Sequence, residues 1–312
     1  MKVVAASEII PRRHKIISMQ TKQTLLPYFG LVLGVLCLSF SALFIRWSEA
    51  PAVVTAFYRM LVASAVMLPF LIAKKGCKQI KLNIYLLFPI AAGLLTALDH
   101  ATLSSAVMMT RVANATLLNH IAPMWVALFS AMFLHEVLNK RFWMGLAAIL
   151  AGAITVFGRD VFVNPSLSAG DLLALLSSFF YAGYYMVTQR GRNHFDTLPY
   201  VWVVATTCGF FLLLYCLTQG LPLTGFSSRT YLVFLGAGII SQIGGYFSIS
   251  YALGHLPASV VSPSIIASPV LTALLAIPAT GEGLAIAQLV GGVAVLGGIY
   301  LVNMSQQIQP DS

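Results

Sequence analysis

VANATLLNHIAPMWVALFSAMFLHEVLNKRFWMGLAAILAGAITVF, residues 112–157, aligns without a gap with ASVVSPSIIASPVLTALLAIPATGEGLAIAQLVGGVAVLGGIYLVN, residues 258–303, at a shift of 146. Pro123 falls on Pro269, Glu136 on Glu282, Gly145 on Gly291 and Gly152 on Gly298, within 10 identities over 46 positions. Chance explains matched Leu and Ala in apolar segments, but not four matched Pro, Glu and Gly residues at one offset. Each copy closes a set of five apolar runs, 26–158 and 171–303. Five is odd, so the second set must enter a membrane from the opposite side. The expected fold is therefore an all-α membrane protein with ten transmembrane helices arranged as two inverted five-helix repeats. Secondary transporters use this plan and place the substrate between the repeats, near the midplane.

Composition leads to the same solvent. Of 312 residues, 59% are hydrophobic and 9% charged, against about 25% charged in an average globular chain. Mean hydropathy is +0.88. A spanning helix takes about 20 apolar residues, and ten runs qualify: 26–46, 52–73, 84–106, 112–134, 142–158, 171–189, 199–218, 231–253, 257–280 and 284–303. The first run is too long for the apolar core of a cleaved leader. Residues 1–25 and 304–312 are left as polar tails, and Met19 offers a second start just before the first span.

The net charge of +9 does not point to nucleic acid, because the basic residues lie between apolar runs. With both termini in the cytoplasm, thirteen Lys and Arg fall inside, and only Arg46, Arg111, Arg159 and Arg229 outside. That bias sets the orientation of a plasma or bacterial inner membrane protein. Trp47, Trp143 and Trp202 lie near helix ends, as interfacial indoles do. Cys37, Cys77, Cys208 and Cys216 show no metal-ligand spacing, so neither a metal nor another cofactor is expected.

Ionisable residues within spans are costly and are functional candidates by default. Arg59 lies seven residues into the second run, roughly 10 Å deep at 1.5 Å per residue. Asp99 and His100 in the third run, and Asn119 and His120 in the fourth, share that layer. One reading is an Arg59–Asp99 ion pair that fixes packing. The other has Arg59 meeting a substrate carboxylate or phosphate while Asp99 or His100 accepts a proton. Asp99 and His100, as neighbours, diverge by about 100° on a helix and make a poor catalytic dyad. Pro123 and Pro269 are expected to interrupt the fourth and ninth helices, and Ser262-Pro263-Ser264 to line a cavity where backbone is freed. Trp125, Tyr181, Tyr184, Tyr185, Gln242 and Tyr246 are candidates for an amphipathic pocket wall. Paired glycines such as Gly244-Gly245, Gly291-Gly292 and Gly297-Gly298 suit close helix contact. Glu136 and Glu282, just ahead of a helix, suit its N-terminus.

Ala113-Asn114-Ala115-Thr116-Leu117-Leu118, followed by Pro123, Glu136, Gly145 and Gly152, resembles the end of an EamA repeat, as Ala56-Phe57-Tyr58-Arg59 resembles its second helix. Over about 29–158 and 170–303 the chain is similar to the EamA family of the drug/metabolite transporter superfamily. His135 departs from the family's usual Gly before the Glu, a pair that Gly281-Glu282 keeps. The resemblance implies a ten-helix transporter with cytoplasmic ends, often an exporter of amino acids or other small metabolites.

The Walker A, HExxH and Gly-x-Ser-x-Gly patterns are absent, so neither ATP nor a hydrolytic centre is indicated. The expected function is secondary-active efflux of a small organic solute, anionic or zwitterionic to suit Arg59, by alternating access. Its partners are the solute, membrane lipids and a proton or counter-substrate. An intramembrane enzyme acting on lipid and a non-transporting receptor are the rival classes.

Overall fold

A computed structural model describes residues 25–74, 76–78, 80, 84–110, 112–133, 136, 138–157, 168–280 and 286–306. The tails, Met19, His135, Arg111, Arg159 and the Gly281-Glu282 pair lie outside these residues. Every regular element described is helical: α1 (Leu25–Trp47), α2 (Ala52–Ala73), α3 (Leu87–Met109), α4 (Val112–Asn119), α5 (Ala122–Phe133), α6 (Lys140–Phe157), α7 (Ala169–Gly191), α8 (Thr197–Thr218), α9 (Ser228–Gly236), a π-helical stretch (Ala237–Tyr246), α10 (Phe247–Leu253), α11 (Ala258–Ser264), α12 (Ala267–Thr280) and α13 (Ile286–Gln306). Two single 3-10 turns precede α3.

Six helical segments among the described residues are long and apolar enough to cross a membrane: Leu25–Trp47, Ala52–Ala73, Ile84–Met109, Asn114–Phe133, Thr197–Thr218 and Ser228–Leu253. The polarity is that of a membrane protein. Phe29, Leu33, Leu36, Phe70 and Phe210 face outward, while Arg59, Asp99 and Asn119 are buried. α7 falls outside the six although it is 23 residues long. Its polar groups have partners inside: Asp171 accepts from Thr110 at 2.7 Å, and Ser177 donates to Asp99.

Two expected interruptions lie elsewhere than expected. The chain breaks at His120–Ile121 and at Ile265–Ile266, ahead of each proline rather than at it. Pro123 and Pro269 are the second and third residues of α5 and α12. In a first turn the missing N–H has no intrahelical partner to lose. Pro263, by contrast, lies inside α11. α8 ends in a Schellman motif, with Gly220 at φ 62° and Leu221 N–H donating to the Cys216 carbonyl.

Backbones meet where glycines allow it. α6 and α13 cross antiparallel: a Cβ on Gly145 would lie 2.7 Å from the Gly298 carbonyl oxygen, and one on Gly152 would lie 2.6 Å from that of Gly291. Gly297, paired with Gly298 in sequence, faces open space instead. A Cβ on Gly93 of α3 would meet the Val204 carbonyl and Thr207 Cβ of α8. At an offset of 145, one on Gly238 would meet the Arg59 carbonyl and Val62 Cβ of α2. Other pairs recur in the same way. α3 packs on α7 as the 228–253 segment packs on α1, and α4 and α5 pack on α7 as α11 and α12 pack on α1.

Candidate functional site

A cavity of about 1020 Å³ lies among α1, α2, α3, the α4–α5 break, α7, the π-helical stretch and the α11–α12 break. Arg46, Pro51, Met109 and Gln219, all at one end of their helices, line its mouth. Arg59, Asp99, His100, Asn119, His120, Tyr181, Tyr185, Tyr246, Ser262 and Pro123 line it farther in. Trp125, Gln242, Ser264, Pro263 and Pro269 do not line it. Trp125 donates its indole N–H to Ser178 Oγ at 3.0 Å, and Ser264 Oγ donates to the Val260 carbonyl at 2.9 Å. Gln242 is buried, and its Oε1 has no partner among the described residues.

Charge is arranged as a chain rather than a pair. Arg59 does not reach Asp99 directly. Its Nη2 lies 2.6 Å from His100 Nε2, and its Nη1 donates to Ser41 Oγ at 2.8 Å. His100 Nδ1 lies 3.3 Å from Asp99 Oδ2. The neighbouring Asp99 and His100 therefore meet despite the helical rotation between them, because their side chains bend back toward each other. Asp99 Oδ1 accepts from Asn119 Nδ2 at 3.0 Å and Ser177 Oγ at 2.7 Å. Two donors thus meet one oxygen of the buried carboxyl group and the His100 ring lies near the other. The guanidinium lies 5.5 Å from the Tyr246 ring centre, within cation–π range. Arg59 Nε and Ser262 Oγ are buried without partners among the described residues. Ser41 and Ser177 were not legible as site residues, since a lone serine in an apolar helix carries no signal. Tyr215 joins the wall from α8 and bonds Ser105 at 2.8 Å.

Hydrogen bonds tie the helices together at the opposite end. Glu136 Oε2 accepts from Ser259 Oγ at 2.7 Å, and Gln189 Oε1 accepts from Ala258 N–H at 3.0 Å. Arg192 donates to the carbonyls of Ser250 and Phe195 and to Thr197 Oγ1. Burial lowers its proton affinity from the ordinary arginine value, opposed by the nearby Asp196 charge. Glu136 thus does not cap the helix that follows it, as expected from its position; Asn139 Oδ1 does, accepting from Phe142 N–H at 3.0 Å. The Glu136 carboxylate was free to bridge to α11 instead. No group of three His, Cys, Asp or Glu among the described residues is placed to hold a metal ion.

Known proteins resemble this chain over most of its length. A transporter of Archaeoglobus fulgidus, named only as uncharacterized, is 25% identical over 258 residues, 80% of this chain and 87% of that one. The pseudopaline exporter CntI of Pseudomonas aeruginosa is 26% identical over 241 residues, 75% of this chain and 81% of the other. A solved crystal structure, 20% identical, superposes with a TM-score of 0.75 over 91% of this chain and 99% of its own, which is a likeness of fold. The model of the EamA-like transporter family matches residues 25–158 and again 168–304. Repeat, cavity and relatives converge: the chain is a membrane transporter, not an enzyme, and belongs to the EamA-like transporter family.

Proposed function

We propose that this protein is a secondary-active carrier that exports a small organic metabolite bearing a carboxylate or similar anionic group, by alternating access between two inverted five-helix halves. The observation that carries the reading is Arg59, a buried cation on the wall of the cavity. A buried guanidinium with an unpartnered Nε is suited to a planar oxyanion. Substrate could reach the cavity centre from one face, and a rearrangement at the tied end would release it to the other.

The inverted halves rest on the glycine contacts. Gly145 meets Gly298, the repeat equivalent of Gly152, and Gly152 meets Gly291, the equivalent of Gly145. Reciprocal contact of that kind is what a two-fold axis produces. Because the two helices run antiparallel, the axis lies across them, in the membrane plane. The Gly93–Val204 and Gly238–Arg59 contacts at an offset of 145 support the same axis. The thirteen-to-four split of basic residues argues for cytoplasmic termini, an orientation that turns the cavity mouth outward. The named exporter among the relatives favours efflux.

The test is counterflow in proteoliposomes loaded with unlabelled amino acids or monocarboxylates and offered the labelled form. Saturable counterflow of at least one supports the carrier. Binding without flux would make the protein a receptor and sink the proposal.

The tied end adds an expectation. Ser259→Ala removes a hydrogen bond to a carboxylate, worth about 1.5–3 kcal/mol. The equilibrium constant favouring the open-outward form should fall by about tenfold or more. A cysteine placed at Ser104, on the cavity wall, with the native cysteines replaced, reports this as slower labelling by an impermeant maleimide. Unchanged labelling would remove the Glu136–Ser259 bond from the gate.

A further inference from the structure

Every group around His100 has a fixed hydrogen-bonding direction except His100 itself. A guanidinium only donates, so His100 Nε2, 2.6 Å from Arg59 Nη2, must accept. The imidazole proton then lies on Nδ1, toward Asp99 Oδ2 at 3.3 Å. His100 in this state is a neutral ring held between a cation and an anion. A second proton on Nε2 would turn the acceptor into a donor and set two cations face to face at contact distance. Proton and guanidinium therefore compete for one lone pair.

We propose that His100 couples proton binding to anion binding: a carboxylate entering the cavity draws Arg59 off His100, and the vacated Nε2 takes up a proton. The inference rests on the reading of Arg59 as an anion site. The anion pairs with the guanidinium, which keeps all its protons. The proton is taken from hydronium or a buffer acid, whose O–H bond breaks as the Nε2–H bond forms, and Asp99 stays behind the ring as its counter-charge. Each ligand makes room for the other, so their binding is mutually reinforcing. Without an anion, an Arg59 drawn off His100 would have only neutral neighbours, Ser41 and the Tyr246 face.

The other titratable groups facing this point do not substitute for His100. Asp99 stands behind it on α3, with both oxygens engaged. Tyr181 and Tyr185 from α7, Tyr215 from α8 and Tyr246 from the π-helical stretch offer phenol hydroxyls, none of which bonds His100 in any hydrogen bond described. His120, in the α4–α5 break, has its Nδ1 2.6 Å from the Thr116 carbonyl and does not touch Arg59 in any hydrogen bond described.

The coupling has a consequence for direction. A monocarboxylate and its proton cross with no net charge, so the membrane potential does no work on the pair, and export carries a proton outward whenever the solute's outward gradient exceeds the opposing proton gradient. A carrier that exchanged solute for an incoming proton would require the opposite linkage.

The test uses the detergent-solubilised full chain with phenylacetate, an anion with an aromatic body, in a weakly buffered solution containing a pH dye. Binding is followed separately by thermal shift. Proton uptake approaching about one per phenylacetate bound is expected at neutral pH, with affinity at least about tenfold tighter near pH 6 than near pH 8.5. In His100→Gln the amide oxygen still accepts from Arg59 but takes no proton, so binding should become equal at the two pH values and proton uptake vanish. His255→Gln, outside the cavity lining, should keep the uptake. Proton release, or pH-independent binding by the natural chain, overturns the coupling and leaves the anion site standing. Failure of phenylacetate and a panel of monocarboxylates to bind at any pH overturns the anion reading, and the coupling falls with it.

Discussion

Arg59→Gln should reduce transport by about 100-fold or more while the protein still inserts and folds. Losing the cation from its proposed pair with a substrate anion costs about 2–5 kcal/mol, and each 1.4 kcal/mol is a factor of ten. The guanidinium does three things at once: it donates to His100, donates to Ser41 and lies against the Tyr246 ring. Glutamine can keep one of these bonds and supplies no charge. Arg59→Lys restores the charge but not the planar fork, and an ammonium cannot hold Ser41 and His100 while offering an edge to an oxyanion. It should recover only a small part of the rate. Counterflow for both variants, with melting temperature and membrane yield alongside, separates a site effect from a folding effect. Near-normal counterflow in Arg59→Gln would show that the cation serves packing.

The second large effect is expected at the α6–α13 crossing. Gly145→Ala places a methyl 2.7 Å from the Gly298 carbonyl oxygen and 2.9 Å from the Val302 nitrogen, backbone atoms that cannot turn aside. The helices must separate along their length, giving up the packing of Phe142, Ile149 and Val295. Overpacking of this kind costs about 1–3 kcal/mol per site, and Gly145→Ala combined with Gly152→Ala should lower the melting temperature by about 2–4 °C for each kcal/mol lost. Gly297→Ala is the control, since nothing lies within 4 Å of its added carbon. It should leave stability within about 0.5 kcal/mol. Equal effects at Gly145 and Gly297 would mean that helix propensity, not backbone contact, sets the response.

Much of this architecture was legible because charge is scarce and a few residue types are rigid. Arg59, Asp99 and His100 stood out as exceptions in apolar runs, and they share one cavity wall. Pro123, Pro269 and the glycines of α6 and α13 exposed the repeat in its last two helices. The equivalence of α2 and α3 with α8 and the 228–253 segment was invisible, because only Gly93 and Gly238 keep their identity where backbones touch. Side chains that face lipid need only be apolar, so their identities drift. The π-helical stretch was also hidden, since AGIISQIGGY favours no particular turn. Its register is set by contact of Gly238 with Val62 and of Gly245 with Leu38. Trp202, expected near an interface, also donates its indole N–H to the Ser64 carbonyl at 3.1 Å, a partner five apolar runs earlier in sequence. Asp99 and His100 met because local rotation fixes Cβ directions, not where two flexible side chains end.

The shortfall of α7 in apolarity bears on how the chain is made. A segment carrying Asp171, Ser177, Ser178 and Arg190 partitions weakly into lipid by itself when it leaves the ribosome. The groups that satisfy its polar side, Thr110 and Asp99, belong to α3 and its end, synthesised earlier. The first half must therefore already be in the bilayer as a receptacle when α7 arrives, and biogenesis acquires an order that the two-fold plan alone would not impose. The second half synthesised alone has no such receptacle, and its first helix should be left stranded at the membrane surface.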